Sequence, residues 1–212
     1  MLQTYSLTYQ YPKSSQIHWP DLELNDGEAL VILGPSGSGK TTLLHLLAGL
    51  LKPKSGSVKW DELDLTALTN SEFDQFRGSH LGLLFQQTHY WSALSVLENL
   101  QLATNLCGKE IDESALKQHL ADLGIDQLAH KKPQHCSIGE RQRLGVAMAS
   151  AHQPKLLLAD EPTSALDDKN CHRVLDMLEN ITLQNGRSLL IITHDKRVTD
   201  RFSKVVKLEE SA

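Results

Sequence analysis

Gly34-Pro35-Ser36-Gly37-Ser38-Gly39-Lys40-Thr41 has the spacing G-x-x-x-x-G-K-[ST], which reads as a phosphate-binding loop. Glycines let consecutive backbone N–H groups turn inward around phosphate oxygens, because they tolerate positive φ and carry no Cβ in the way. A helix opening at the loop would aim its N-terminal dipole at the same anion. Lys40 is expected to reach the β- and γ-phosphates, Thr41 to coordinate a divalent cation, and Thr42 to extend the cradle. A second feature is the apolar run Leu156-Leu157-Leu158-Ala159 ending in Asp160-Glu161. Beside a bound triphosphate, an aspartate in that place serves the cation, and the adjacent glutamate is placed to take a proton from an attacking water. His194 follows a third apolar run, Ser188 to Thr193; taken alone, such a histidine reads as capped or solvated.

These groups need elements to hold them. Ala29 to Leu33 is a short all-apolar run, the pattern of a strand buried on both faces. The phosphate loop follows it, and Thr41 to Leu51 reads as a helix closing near Gly49 and Pro53. Before it, Gln3 to Tyr9 and Ile17 to Leu24 alternate polar and apolar residues as half-buried strands do, with Tyr11-Pro12 and Asn25-Asp26-Gly27 as turns. Ser57 to Trp60 is another strand. From Ser92 to Ala129 the apolar residues recur at helical spacing. Glu140 to Ala151 and Asp168 to Gln184 are further helices, and Leu156 to Ala159 and Ser188 to Thr193 further strands. Strands alternating with helices predict an α/β fold around a mostly parallel sheet, with the helical block after Phe85 inserted into it.

Composition narrows the function classes. The 212 residues are 40% hydrophobic and 22% charged, ordinary globular values. The formal net charge of −5 argues against a dedicated nucleic-acid binder. No apolar run approaches a membrane span, and the N-terminus does not read as a secretory signal. Cys107, Cys136 and Cys171 are far apart and odd in number, as expected of reduced thiols in the cytosol. His130, His135 and Cys136 fit no standard zinc spacing.

Several further segments, in order along nearly the whole chain, resemble the ATP-binding-cassette (ABC) family. Tyr11 stands where the family places an aromatic residue that stacks on adenine. Gln86, after Phe85, matches the Q-loop glutamine, which joins the cation and the attacking water. Cys136-Ser137-Ile138-Gly139-Glu140-Arg141-Gln142-Arg143 stands at the signature, usually Leu-Ser-Gly-Gly-Gln. Ser164-Ala165-Leu166-Asp167 matches the D-loop, and His194 the switch histidine. Leu46 to Leu50, Lys54-Ser55-Gly56, Leu81 to Gln87 and Val96 to Leu100 look like the lipoprotein-release and macrolide-export subfamily.

The resemblance implies one cassette domain. Residues 1–85 and 136–212 would form the ATPase core with an N-terminal antiparallel β subdomain, and about 86–135 a helical subdomain. It implies an ATPase using ATP and Mg²⁺, with two cassettes arranged head to tail. One copy would supply Gly34 to Thr42, Gln86, Asp160, Glu161 and His194. The other would supply Ser137 and Gly139, with Asp167 at the boundary. The partners implied are a separate transmembrane permease and a second cassette. The place implied is peripheral, on the cytoplasmic face of the inner membrane. A low-turnover, nucleotide-dependent adaptor is the alternative.

The signature departs from the family at Ile138, where a glycine is usual. A β-branched residue cannot easily adopt positive φ and adds bulk to a close contact. The expectation is a poorly assembled site in a homodimer, or pairing with a second cassette that carries the glycine.

Overall fold

The N-terminal alternation produces β1 (Leu2–Gln10), β2 (Gln16–His18) and β3 (Glu23–Leu24). The computed structural model describes residues 1–164 and 166–209. The expected continuous strand from Ile17 to Leu24 is divided, because Pro20 has no N–H to give a ladder. Instead Trp19 N–H donates to the Leu7 carbonyl at 3.3 Å and Leu22 N–H to the Thr4 hydroxyl at 2.8 Å. Next come β4 (Ala29–Leu33), α1 (Lys40–Leu47), β5 (Ser55–Trp60) and β6 (Leu63–Asp64). β1 pairs antiparallel with β2, β3 and β5, and β5 pairs with β6, giving the N-terminal antiparallel sheet.

α2 (Asn70–His80) leads into β7 (Leu81–Leu84), neither of which the sequence reading separated out. The chain continues through α3 (Val96–Leu106), α4 (Glu113–Asp122), α5 (Ile138–Ser150), β8 (Leu156–Asp160) and α6 (Asp168–Ile181). It ends with β9 (Ser188–Thr193), α7 (Lys196–Thr199) and β10 (Val205–Lys207). The second sheet runs β10-β4-β9-β8-β7 and is parallel throughout. Side-chain alternation divides its contacts between two layers. Leu30, Ile32, Leu156, Leu158, Leu190 and Ile192 join one core with α1 and the antiparallel sheet. Val31, Leu157, Ala159, Leu189 and Ile191 join the other, with α3 to α6. All eleven are fully buried, at 0–1% exposure, which explains why these strands read as continuous apolar runs.

β7 lies at the sheet edge under α5, and one position there admits no side chain. A Cβ on Gly82 would stand 2.2 Å from the Ala149 carbonyl oxygen and 2.7 Å from Leu157 Cδ1. The carbonyl belongs to helix backbone and cannot swing aside. Gly82→Ala is therefore expected to destabilise the fold by about 1–3 kcal/mol. The measurement is a denaturant titration, in which the midpoint falls while the slope stays constant.

Candidate active site

Four neighbouring parallel strands, β4, β9, β8 and β7, deliver their C-terminal ends to one edge of the sheet. The phosphate loop leaves β4, Asp160 and Glu161 end β8, His194 follows β9, and Gln86 follows β7. Residues up to 160 apart in sequence thus meet because the strand order makes their ends adjacent, the usual ligand position in such sheets. Asp160 lies behind, not in, the wall of a cleft of about 570 Å³ lined by Tyr11, Lys40, Thr41, Gln86, Glu161 and His194, with Ser36, Gly37, Gly39 and Thr42 among the other walls.

The loop is shaped by two left-handed glycines, Gly37 at φ +85° and Gly39 at φ +83°. A Cβ on Gly37 would meet nothing, whereas one on Gly39 would stand 3.1 Å from Ile17 and from the Trp19 ring. The antiparallel sheet therefore packs directly on the loop. Gly34, Pro35 and Ser38 do not line the cleft. The Gly34 and Pro35 carbonyls accept from Lys40 Nζ at 2.7 and 2.8 Å. Ser38 donates both its N–H and its hydroxyl back to Pro35. Their side of the loop is its scaffold, and Lys40 is held within it, 7% exposed.

Asp160 lies beneath Thr41, whose hydroxyl donates to Oδ2 at 3.0 Å. Its other oxygen, Oδ1, is buried without a hydrogen-bond partner. Burial raises the Asp160 pKa, with the neighbouring Glu161 charge adding to it and the Thr41 hydroxyl opposing it. A carboxylate with an orphaned oxygen beside a threonine hydroxyl suits a hard cation, so these residues fit Mg²⁺.

Glu161 adopts φ +47°, a sparsely populated conformation for a residue with a Cβ. Its N–H donates to the Ile192 carbonyl at 2.9 Å. Oε2 accepts from the Thr193 hydroxyl at 2.9 Å and the His194 N–H at 3.3 Å, and Oε1 lies 2.7 Å from His194 Nδ1. The Lys40 ammonium stands 3.8 Å from Oε1. The acceptor at Oε1 assigns the imidazole proton to Nδ1, which leaves Nε2 as the other ring position for ligand contact. The carboxylate is about one-tenth exposed and the imidazole about half.

Tyr11 hangs over the loop, its hydroxyl 3.1 Å from the Thr42 hydroxyl and its ring edge-on to Tyr9. Gln86 faces the cleft, while Gln87 lines a separate apolar groove with Trp91, Leu106 and Met148. Ser137, Gly139 and Asp167 stand outside the cleft. Ser137 caps α5 through a reciprocal pair with Glu140, and Asp167 caps α6 through the Asn170 N–H. Ala165 of the D-loop match lies outside the described residues. Ile138 departs from expectation. It opens α5 with helical backbone rather than positive φ, because the capping pair makes it the first residue of a regular helix. What remains of the argument is bulk, since its side chain is 62% exposed.

Sequence reasoning missed a polar cluster behind His194. Asp195 accepts from the Thr163 hydroxyl at 2.7 Å and from the Arg197 guanidinium. The guanidinium holds the Asp195 carboxyl well below its ordinary value, at about 2. Asp195 and Arg197 are close in sequence at the start of α7, but nothing local ties them to Thr163, 32 residues away.

A glycine-rich loop between a buried parallel strand and a helix, with an acidic neighbouring strand end, defines a phosphate-loop nucleoside triphosphatase. The ABC transporter family model matches residues 17–164, and the chain belongs to that family. It is 39% identical to the lipoprotein-releasing system ATP-binding protein LolD of Legionella pneumophila (strain Paris), over 91% of this chain and 86% of the relative. It is 36% identical to the bacitracin export ATP-binding protein BceA of Halalkalibacterium halodurans, over 90% and 76%. Among solved structures, the dimeric bacterial ABC transporter cassette MJ0796 superposes with a TM-score of 0.89 at 29% identity, covering 99% of this chain and 95% of that one. The same cassette bound to ADP and Pi gives 0.88 at 28%. The chain is thus the ATP-hydrolysing cassette of a transporter.

Lys40 is the cation nearest the loop carbonyls and the Glu161 carboxylate. Lys40→Ala is expected to weaken ATP binding at least tenfold, about 1.4 kcal/mol, as read by equilibrium titration with a fluorescent ATP analogue.

Proposed function

We propose that ATP with Mg²⁺ occupies the cleft and is hydrolysed there by in-line attack of water. The observation that supports this reading best is the convergence of Lys40, Glu161 and His194 on one wall. Tyr11 would stack on adenine, and Gly34 to Thr42 would hold the phosphates. Glu161 would take the water's proton at Oε1 or Oε2. His194, oriented by Glu161 through Nδ1, would present Nε2 to the γ-phosphate. Mg²⁺ would be held by Thr41, Asp160 and Gln86, and supplies positive charge that offsets charge on the transferring phosphoryl oxygens. Lys40 adds to that stabilisation from the loop side.

The position of Ser137 and Gly139 outside this cleft supports a site completed by a second cassette. The segments before and after 86–135 would act as one ATPase core, and that block as a helical subdomain. The relatives named for lipoprotein release and bacitracin export support a separate membrane permease as the second partner. No helix among the described residues is long and apolar enough to cross a membrane. The proposed place is the cytoplasmic face of the inner membrane, on that permease. The low-turnover adaptor is not favoured, since Glu161 and His194 are both present and paired.

Two variants test the roles. Glu161→Gln is expected to keep ATP binding, lose turnover by at least a hundredfold, about 2.7 kcal/mol, and accumulate as an ATP-bound dimer on size exclusion. Parental turnover would remove Glu161 from the base role. Ile138→Gly removes a bulky exposed side chain from the α5 start. A tenfold rise in homodimer kcat, about 1.4 kcal/mol, is expected. Equal turnover would show that the contact accommodates isoleucine, and pairing with a different cassette would lose its motive.

A further inference from the structure

The loop from Thr163 to Asp168 connects the end of β8, where Glu161 sits, to α6. Among the described residues its backbone turns on itself and on the end of β8: Ser164 N–H donates to the Glu161 carbonyl at 3.3 Å and Leu166 N–H to the Thr163 carbonyl at 3.1 Å. Gln86 Nε2 reaches the Ser164 hydroxyl at 3.5 Å and Leu166 packs against the main core, and one side chain on α7 makes several further polar contacts. Arg197 Nε and Nη2 grip both oxygens of Asp195 at 2.7–3.1 Å. Nη1 donates to Asp168 Oδ1 at 2.7 Å and to the Leu166 carbonyl at 3.3 Å. Nη2 also reaches the Leu166 carbonyl at 3.3 Å and the Thr163 carbonyl at 3.4 Å. Asp195, the residue after His194, closes the circuit by accepting from the Thr163 hydroxyl at 2.7 Å.

From this geometry we infer that Arg197 is a positioning residue, which clamps the loop 163–168 to the segment carrying His194. The clamp sets where Asp167 and its neighbours stand relative to the hydrolytic pair Glu161–His194. This rests on the two-cassette reading above, in which Asp167 lies at the boundary between copies. Arg197 does not line the cleft, so it acts on assembly of the site and not on nucleotide contact. The job needs a guanidinium. Five N–H donors in a rigid plane can serve a carboxylate in fork geometry and still reach a second carboxylate and two carbonyls. An ammonium has three donors at one point and cannot span these acceptors.

The experiment compares the full chain with Arg197→Ala, Arg197→Lys and Asp168→Ala. The Asp168 side chain is 84% exposed, so that variant folds whatever Arg197 contributes to stability. Two quantities are read: steady-state ATPase kinetics together with ATP affinity, and amide hydrogen exchange over 163–169 without nucleotide. The expected result for Arg197→Ala is about a tenfold loss of kcat with ATP affinity within about twofold of the parent. Arg197→Lys is expected to give little rescue, and Asp168→Ala a smaller loss. Exchange over the loop should quicken in all three. Parental kcat in Arg197→Ala, full rescue by lysine, a parallel loss of ATP affinity, or unchanged exchange would each overturn the clamp. If the parent chain itself shows no turnover, the hydrolytic reading fails, while exchange still decides whether Arg197 holds the loop.

Discussion

Two adjacent carboxylates at the end of an otherwise apolar, fully buried strand are the constraint around which this molecule is arranged. Charge removed from water is costly unless it is paired or hydrogen-bonded, so each carboxylate dictates what must stand beside it. Asp160 requires the start of α1, where Thr41 donates to one oxygen. Glu161 requires the end of β9, where a hydroxyl, a backbone N–H and an imidazole converge on it. Those demands are met with β9 beside β8 and with the start of α1, beyond β4, reaching across the same strand ends. The phosphate loop is thereby set against the acidic pair, whose buried Asp160 Oδ1 is left without a hydrogen-bond partner.

The Glu161 backbone shows what this arrangement costs. A left-handed φ at a residue with a Cβ costs on the order of 1–3 kcal/mol. It persists because the surroundings leave little alternative. The Glu161 N–H is held by Ile192, its carbonyl accepts from Ser164, and the next carbonyl, that of Pro162, accepts from Gln142 of α5 at 2.9 Å. Strain in the Glu161 backbone is thus opposed from both sides by elements of the main core.

Much of the site was legible because chemistry requires particular residue types at short, fixed spacing. The loop from Gly34 to Thr42, the Asp160-Glu161 pair and His194 could all be found on this ground. Their strands were legible because burial on both faces leaves no polar residue between the ends. Other parts left weaker traces. β7 is four residues long, and Leu81-Gly82-Leu83-Leu84 does not distinguish strand from helix by period. α2 presents Phe73 and Phe76 to the core from a largely polar sequence. Its readable sign was Thr69 followed three residues later by Glu72, which form a reciprocal cap. The Arg197 cluster left only the Asp195–Arg197 pair, two residues apart, as a local trace, because its other acceptors lie 29–34 residues away. For Ile138 the sequence suggested backbone strain, and the Ser137–Glu140 pair resolves it by making the position helical.

That capping pair has a consequence for how firmly the start of α5 can hold an anion. Glu140 already takes the Ser137 N–H at 2.7 Å, and its own N–H is taken by the Ser137 hydroxyl oxygen. Among the described residues the Ile138 and Gly139 amides have no partner, and the Ser137 hydroxyl proton remains to be donated. A phosphate arriving from a second copy would meet two amides and one hydroxyl beside the exposed bulk of the Ile138 side chain. It would also meet a helix dipole already partly answered by the Glu140 carboxylate. The pull of this helix start on an anion is therefore shared between the Glu140 carboxylate already there and any phosphate that reaches it.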